Sequence, residues 1–316
     1  MAFKTRRVPT LYFIGVTTGH SSIMRVFPRW ADALGLDAEI VGVDFALHDR
    51  PENYRRIVRF IKDDPLSKGA LVTTHKLNLL EAARDLFDDL GPYASSLGEA
   101  SCISKRNGRL TAKAMDPLTS GLALDAVASS ERWTSGAEAL ILGAGGSSLA
   151  LTVNLLERAL DGLPHPSRLV VTNRSQTRLD EMREVHGALG SPMPVEYVFA
   201  PEREDNDRVC SEMSPGSLVA NATGLGKDRP GSPLTEEAVF PVDGIAWDFN
   251  YRGDLTFLVQ ARRQQTERHL TIEDGWIYFV HGWTRVISEV FDIEIPTSGP
   301  ELERLSEIAA QARAES

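Results

Sequence analysis

Cysteine is scarce in this 316-residue chain. Its two cysteines, Cys102 and Cys210, make neither a disulfide framework nor a multi-cysteine zinc site. A reducing cytoplasm is the simplest compartment for such a chain. Long apolar runs are missing too: none approaches the roughly 18 residues that a membrane-spanning helix needs. The start, Met1 to Thr10, shows no apolar core ahead of a small-residue cleavage site, so no secretory leader is expected. Positive charge is in deficit. Lys plus Arg is 34 against 44 Asp plus Glu, a net charge of −10. That balance argues against general binding to nucleic acid or anionic membrane, while leaving room for a local basic pocket. The seven histidines show no metal-ligand spacing, and no metal is expected. Internal repeats and low-complexity tracts are absent as well.

What is present is ordinary globular composition, 42% apolar and 25% charged. The length suggests two domains. Short β-rich runs alternate with helical stretches. Strands are expected at Leu11–Val16, Glu39–Phe45 and Gly69–Thr73, and helices at Ile23–Leu34, from Pro51, and at Leu77–Leu90. Pro28 lies inside the first helix, against the usual rule. Asn107-Gly108 between Cys102–Ser104 and Leu110–Ala112 signals a hairpin. A helix over Pro117–Ser130 follows. A second series places strands at Ala139–Leu142, Arg168–Thr172, Val195–Phe199, Ser217–Asn221 and Ile245–Phe249. Late helices are expected over Gly275–Phe291 and Glu301–Arg313; the last is mostly polar and reads as a solvated or partner-packed tail, leaving a homodimer open. Such alternation predicts an α/β protein with mainly parallel sheets.

The sharpest local signal is Gly143-Ala144-Gly145-Gly146-Ser147-Ser148, between an apolar strand and a helix-like stretch from Leu149. Gly143 permits a tight turn, Gly145 lets the backbone approach a pyrophosphate, and small Ser148 allows close helix–strand packing. The helix start then offers free N–H groups to phosphates. The next strand ends in Asn173-Arg174-Ser175, with Arg178 four residues after Arg174. An acid here would bond the ribose 2′-hydroxyl of NAD. Two arginines instead suit a 2′-phosphate, and so imply NADP. Asn221-Ala222-Thr223 and Asp248-Phe249-Asn250-Tyr251 follow later strands, where nucleotide-facing loops belong.

Lys76 stands just past the third strand, and Asp116 just before Pro117. A lysine can protonate the oxygen formed when hydride reaches a carbonyl, and take the proton in reverse; a carboxylate can hold its charged form. Taken alone, an isolated Lys and Asp on loops are usually surface charges. The ordered set of Val72-Thr73-Thr74-His75-Lys76, Asp116, the glycine turn, Asn173-Arg174-Ser175, Asn221-Ala222-Thr223, Asp248 to Tyr251 and Asp274-Gly275 resembles the shikimate dehydrogenase family over roughly residues 11 to 292. The resemblance implies an oxidoreductase with an N-terminal α/β substrate domain (1–117), a Rossmann-type NADP domain (118–274) and C-terminal helices (275–316) returning to the first domain. It implies Lys76 and Asp116 as the catalytic pair. Ser21, Thr73, Ser101, Tyr251 and His281 fall at or beside substrate positions, and Gly275 beside the cofactor.

The departures cluster on the substrate side. The family's Ser-x-Ser-Pro becomes Ser21-Ser22-Ile23-Met24. The Asn and the Pro of Asn-Val-Thr-Ile/Val-Pro-x-Lys are missing around Val72-Thr73. A substrate-binding Asn becomes Ser101, and a late Gln aligns with Gly282, next to His281. Sites that hydrogen-bond their substrate discriminate through those groups. The expectation is therefore a related enzyme acting on a different small polar substrate, a cyclic polyol or keto acid. Genuine shikimate or quinate turnover, a methylenetetrahydrofolate dehydrogenase-like enzyme and a non-catalytic NADP sensor are the alternatives. His75 and His281 are offered as new substrate contacts, or as plain structural hydrogen-bonders.

Overall fold

The computed structural model describes residues 3–227 and 229–314. The chain divides into two compact units. One holds the residues up to Met115 and those from Gly282 onward; the other is Asp116–His281.

The first unit is built on six strands: β1 (Thr10–Gly15), β2 (Glu39–Asp44), β3 (Ser67–Val72), β4 (Asp89–Leu90), β5 (Cys102–Arg106) and β6 (Arg109–Lys113). Their order is β2-β1-β3-β5-β6-β4. Strand β1 pairs in parallel with β2 and β3, while β5 runs antiparallel to β3 and β6. Strand β1 is buried along its whole length, as a parallel strand flanked by neighbours and covered by helices should be. The β5–β6 hairpin turns through Asn107 (φ +51°) and Gly108 (φ +75°), both left-handed, as its Asn-Gly pair predicts. Helices α1 (Ile23–Leu34), α2 (Pro51–Asp63), α3 (Lys76–Ala83) and α4 (Pro92–Leu97) complete the N-terminal part. Helix α1 passes through Pro28 because Ile23, Val26, Phe27, Trp30 and Ala31 form a buried stripe at helical spacing.

The helix expected over Leu77–Leu90 is too long. Helix α3 stops at Ala83, a 3-10 turn follows, and Asp89–Leu90 pairs with β6. Tertiary contacts decide this: the Asp88 carboxylate accepts the Leu110 amide at 2.8 Å and the Lys62 ammonium at 2.9 Å.

The second unit carries β7 (Ala139–Leu142), β8 (Leu169–Asn173), β9 (Val195–Phe199), β10 (Leu218–Asn221), β11 (Ile245–Asp248) and β12 (Thr271–Glu273). All pairs are parallel, in the order β12-β11-β10-β7-β8-β9. Read from β9, that is the doubly wound dinucleotide order, with its switch point between β7 and β10. The edge strand β12 lies outside the expected elements; its three residues carry too little pattern to be legible. Helices α5 (Asp116–Val127), α6 (Ser130–Thr134), α7 (Gly146–Leu160), α8 (Gln176–Leu189), α9 (Arg203–Ser211) and α10 (Thr256–Arg268) fill the connections. A side chain at Gly121 of α5 would place its Cβ 2.4 Å from the Asn154 amide, so glycine there lets α5 lie close against α7.

Helix α11 (Trp276–Phe291) runs through the division of the units, and α12 (Pro300–Ala314) belongs to the first. Helix α12 is no solvated tail. Leu302, Leu305, Ala309 and Ala312 are buried, α12 packs on α1, and the Trp30 indole donates to the Leu305 carbonyl at 2.7 Å.

Candidate active site

In the second unit the positions singled out in the sequence gather at the carboxyl ends of the strands, because parallel strands all end on the same side. Strand β7 ends at Leu142 and the chain turns through Gly143, whose φ is +107°. A Cβ at Gly143 would lie 3.1 Å from the Ala222 carbonyl oxygen, so the turn sits tight against the end of β10. Ala144 is buried beneath it. At Gly145 and Gly146 an added Cβ would meet nothing within 4 Å, which leaves open space above the turn. Gly145 caps α7 and, as glycine, brings no side chain to the first amides of that helix. Ser147 is half exposed. Ser148 is buried and its hydroxyl has no partner among the described residues. An open turn, a glycine-capped helix start and an orphaned hydroxyl form a donor set that fits the diphosphate of a dinucleotide.

Strand β8 ends at half-buried Asn173, and Ser175 caps α8, its Oγ accepting the Arg178 amide at 3.4 Å. The two arginines differ. Arg178 is held by Glu181 at 2.9 Å, whereas Arg174 is exposed and makes no ion pair among the described residues. Only Arg174 offers its guanidinium without a competing carboxylate.

The ends of β10 and β11 are tied by a network that sequence reading did not assign. Asn221 Nδ2 donates to Asp248 Oδ2 at 3.1 Å, and Asn221 Oδ1 accepts from the Thr223 amide and hydroxyl at 3.1 and 2.7 Å. Asp248 Oδ1 accepts the Asn250 amide at 2.8 Å, and Asn250 Nδ2 donates to the Leu225 carbonyl at 2.9 Å. The loop from Ala222 to Leu225 is thus lashed to the sheet. Burial pushes the Asp248 carboxyl up to about 6, against the hydrogen bonds from Asn250 and Asn221 that favour its charged form. The available signal was two amide side chains and one carboxylate at the ends of neighbouring parallel strands.

Gly275 has a packing reason. A Cβ there would fall 2.1 Å from the Phe249 carbonyl oxygen, and its amide donates to the Asn250 carbonyl at 3.0 Å. Tyr251 is half buried, with the Trp276 and Phe279 rings at 5.5 and 5.1 Å and the Lys227 ammonium 5.8 Å from its ring centre. Trp276 stacks on Phe279 at 4.9 Å. His281 is buried in α11.

In the first unit, Thr73, Lys76 and Ser101 meet where β3 ends. The Val72 amide donates to the Ser101 carbonyl at 2.8 Å, and the Ala100 amide to the Lys76 carbonyl at 3.1 Å. Ser101 is buried, and its Oγ accepts the Met115 amide at 2.7 Å; its hydroxyl hydrogen is what it has left to offer a ligand. Ser21 is half buried in the turn before α1, and its amide donates to the Thr18 carbonyl at 3.0 Å. Ile23, two residues on, is wholly buried. His75 is buried as well. Its Nδ1 lies 3.0 Å from the Tyr54 hydroxyl and its Nε2 3.2 Å from the Gly15 carbonyl, so both ring nitrogens are engaged inside the fold. The structure settles His75 as a structural hydrogen-bonder. Lys76 opens α3 in this unit, and Asp116 opens α5 in the other. No group of His, Cys, Asp and Glu that could hold a metal occurs among the described residues, and no helix there is long and apolar enough to cross a membrane.

No family model matches the chain. A shikimate dehydrogenase (NADP(+)) of Brucella ovis is 28% identical over 232 residues, 73% of this chain and 70% of that protein. Among solved structures, a shikimate 5-dehydrogenase of Thermus thermophilus, in complex with NADP(H) and shikimate, aligns with a TM-score of 0.69. It is 23% identical, over 96% of this chain and 99% of that one. A quinate dehydrogenase of Corynebacterium glutamicum, in complex with NAD, aligns with a TM-score of 0.73 at 17% identity, over 96% and 99%. In its sequence and in its two-sheet fold, this chain is shikimate-dehydrogenase-like.

Proposed function

We propose that this protein is an NADP-dependent oxidoreductase that interconverts an alcohol and a ketone on a small, polar, hydroxylated ring. The observation that carries this reading is the open glycine turn between β7 and α7, with Arg174, exposed and in no ion pair among the described residues, at the neighbouring strand end. The second unit is the cofactor domain. Amides following Gly145 hold the diphosphate, Arg174 meets the 2′-phosphate, and the lashed Ala222–Thr223 loop borders the nicotinamide end. Bound NADP supplies the hydride acceptor, or in its reduced form the donor. Gly275 serves the cofactor side through the close packing it allows.

The first unit is the substrate domain. Lys76, as the amine, takes the hydroxyl proton while hydride leaves carbon, and as the ammonium returns it to the ketone oxygen. Asp116 favours the charged lysine. Thr73, Ser21 and the Ser101 hydroxyl hydrogen are the polar contacts this unit has left for substrate; Tyr251 is the further substrate contact that the family resemblance implies. Where the shikimate dehydrogenase pattern has a second serine, Ile23 is wholly buried. One carboxylate-holding hydroxyl is therefore replaced by core, which favours a substrate whose carboxylate is absent or held differently.

The test is NADPH formation from NADP with shikimate, quinate and carboxylate-free cyclic polyols, for the wild type and for Lys76→Ala. NADP binding is titrated first in both. Lysine-dependent turnover of a polyol with little on shikimate supports the whole reading. Efficient shikimate turnover removes the altered-substrate part. Tight NADP binding with no lysine-dependent reaction across the panel replaces the enzyme by a sensor.

A further inference from the structure

The turn between β3 and α3 carries Lys76, and its backbone is unusual. Thr74 has φ +37°, the left-handed region that a β-branched residue rarely adopts. The His75 amide turns back onto the Thr73 carbonyl in a tight three-residue turn. Such a conformation persists only when its surroundings over-determine it.

The imidazole of His75 supplies the restraint. A carbonyl only accepts, so Nε2 carries a hydrogen toward Gly15 O at 3.2 Å, and Nδ1 is hydrogen-bonded with the Tyr54 hydroxyl at 3.0 Å. The same Gly15 carbonyl accepts the Phe45 amide at 2.8 Å. One oxygen at the end of β1 thereby ties down the chain leaving β2 and the turn leaving β3. Phe45 packs edge-on against both Tyr54, at 5.3 Å, and His75, at 6.1 Å. His75, Tyr54 and Phe45 are all buried. On the far side, the Lys76 carbonyl is held by the Ala100 amide.

We propose that His75 is a positioning residue for Lys76, acting through a Tyr54–His75–Gly15 relay that fixes the direction in which α3 launches the lysine. The inference rests on the reading of Lys76 as the proton-transfer group. It adds that proton transfer depends on two helix- and turn-borne side chains that never meet substrate. Misplacing a reacting group by about 1 Å can cost on the order of 100-fold in rate. Losing the relay therefore falls on kcat, while KM and NADP affinity stay near the wild-type values.

The experiment compares Tyr54→Phe, His75→Ala and His75→Gln with wild type and Lys76→Ala. Tyr54→Phe removes one oxygen and keeps the core ring, so it tests the relay even if His75→Ala folds poorly. A loss of kcat of roughly 10-fold in Tyr54→Phe and 100-fold in His75→Ala is expected. The Gln amide keeps one donor and one acceptor and restores part of the loss. The second readout needs no turnover: the lysines are reductively ¹³C-methylated, and the Lys76 resonance, assigned by its loss in Lys76→Ala, is followed against pH. The relay shifts that resonance or its titration midpoint in Tyr54→Phe and His75→Ala. If kcat holds while only thermal stability drops, or if the Lys76 signal is unmoved in both variants, the inference is wrong. Absence of turnover in the wild type overturns the oxidoreductase reading alone; the resonance then decides the relay.

Discussion

The amide of Asn221 donates to the carboxylate of Asp248 at 3.1 Å, in a place where neither side chain sees water. The two residues close neighbouring parallel strands, and between them they fix the loop that begins at Ala222. This is the most strongly perturbed acid of the cofactor unit. Its titration is open to direct measurement.

The Asp248 carboxyl ionises at about 6 in the folded chain, against an ordinary value of 3.8. The folded state thus holds a proton that the unfolded state has already released between these values. This group's contribution is fully present below pH 4 and is lost as pH rises to 6, by about 3 kcal/mol at most. Asp248→Asn keeps the acceptor for Asn250 and cannot ionise. Denaturant unfolding from pH 4 to 7 should show the variant's stability changing less steeply downward than that of the wild type. Parallel curves would remove the assignment.

Gly275→Ala should be severely destabilising for a single methyl. Its Cβ would fall 2.1 Å from the Phe249 carbonyl oxygen, and that backbone group, just past the end of β11, cannot swing aside like a side chain. A loss of roughly 3 kcal/mol or more is expected, read as a lower midpoint in urea. NADP affinity at low temperature should also fall, because the Asn250 segment must shift.

Arg174→Gln and Arg178→Gln separate the two arginines. A hydrogen bond to a charged group contributes about 1.5–3 kcal/mol, so removing Arg174 should weaken NADP binding about 10- to 100-fold and leave NAD binding nearly unchanged. Arg178 already holds Glu181 at 2.9 Å, and its loss should matter less. Isothermal titration of both nucleotides against both variants gives the comparison. Equal losses would show that both arginines meet the phosphate.

Ile23→Ser should not restore shikimate turnover at full stability. Ile23 is wholly buried at the start of α1. Trading it for serine forfeits about 2–4 kcal/mol of packing and leaves a buried hydroxyl to satisfy. Thermal unfolding would show a clear drop in Tm. Unchanged Tm with new shikimate activity would mean that this position faces the substrate pocket.

Trp30→Phe removes the indole bond to the Leu305 carbonyl while keeping a ring in the α1–α12 contact. The buried carbonyl is left without that donor, at a cost of about 1–3 kcal/mol. Hydrogen exchange should quicken in α12 before it quickens in the sheet.

Much of this molecule was legible from local pattern. Gly143 to Ser148 between an apolar strand and a helix, Asn107-Gly108 at a hairpin, and the strands Ala139–Leu142 and Val195–Phe199 carry their signals within a few residues, because turn chemistry and burial act at that range. The doubly wound fold and the nucleotide turn follow from them. Other features came only with tertiary structure. Asp89–Leu90 is a strand because β6 is there to pair with it, and Thr271–Glu273 because β11 is. The polar-looking α12 is packed because Leu302, Leu305, Ala309 and Ala312 fall on one side and α1 presents Trp30 to them. Which arginine stands free depends on where Glu181 lies one helical turn away. His75 read equally well as a ligand or a support until Tyr54 and Gly15, 21 and 60 residues distant in the chain, were found on its two nitrogens. Spacing and composition determine which groups a short segment can offer; long-range packing determines which of them are already bonded and which remain for a substrate.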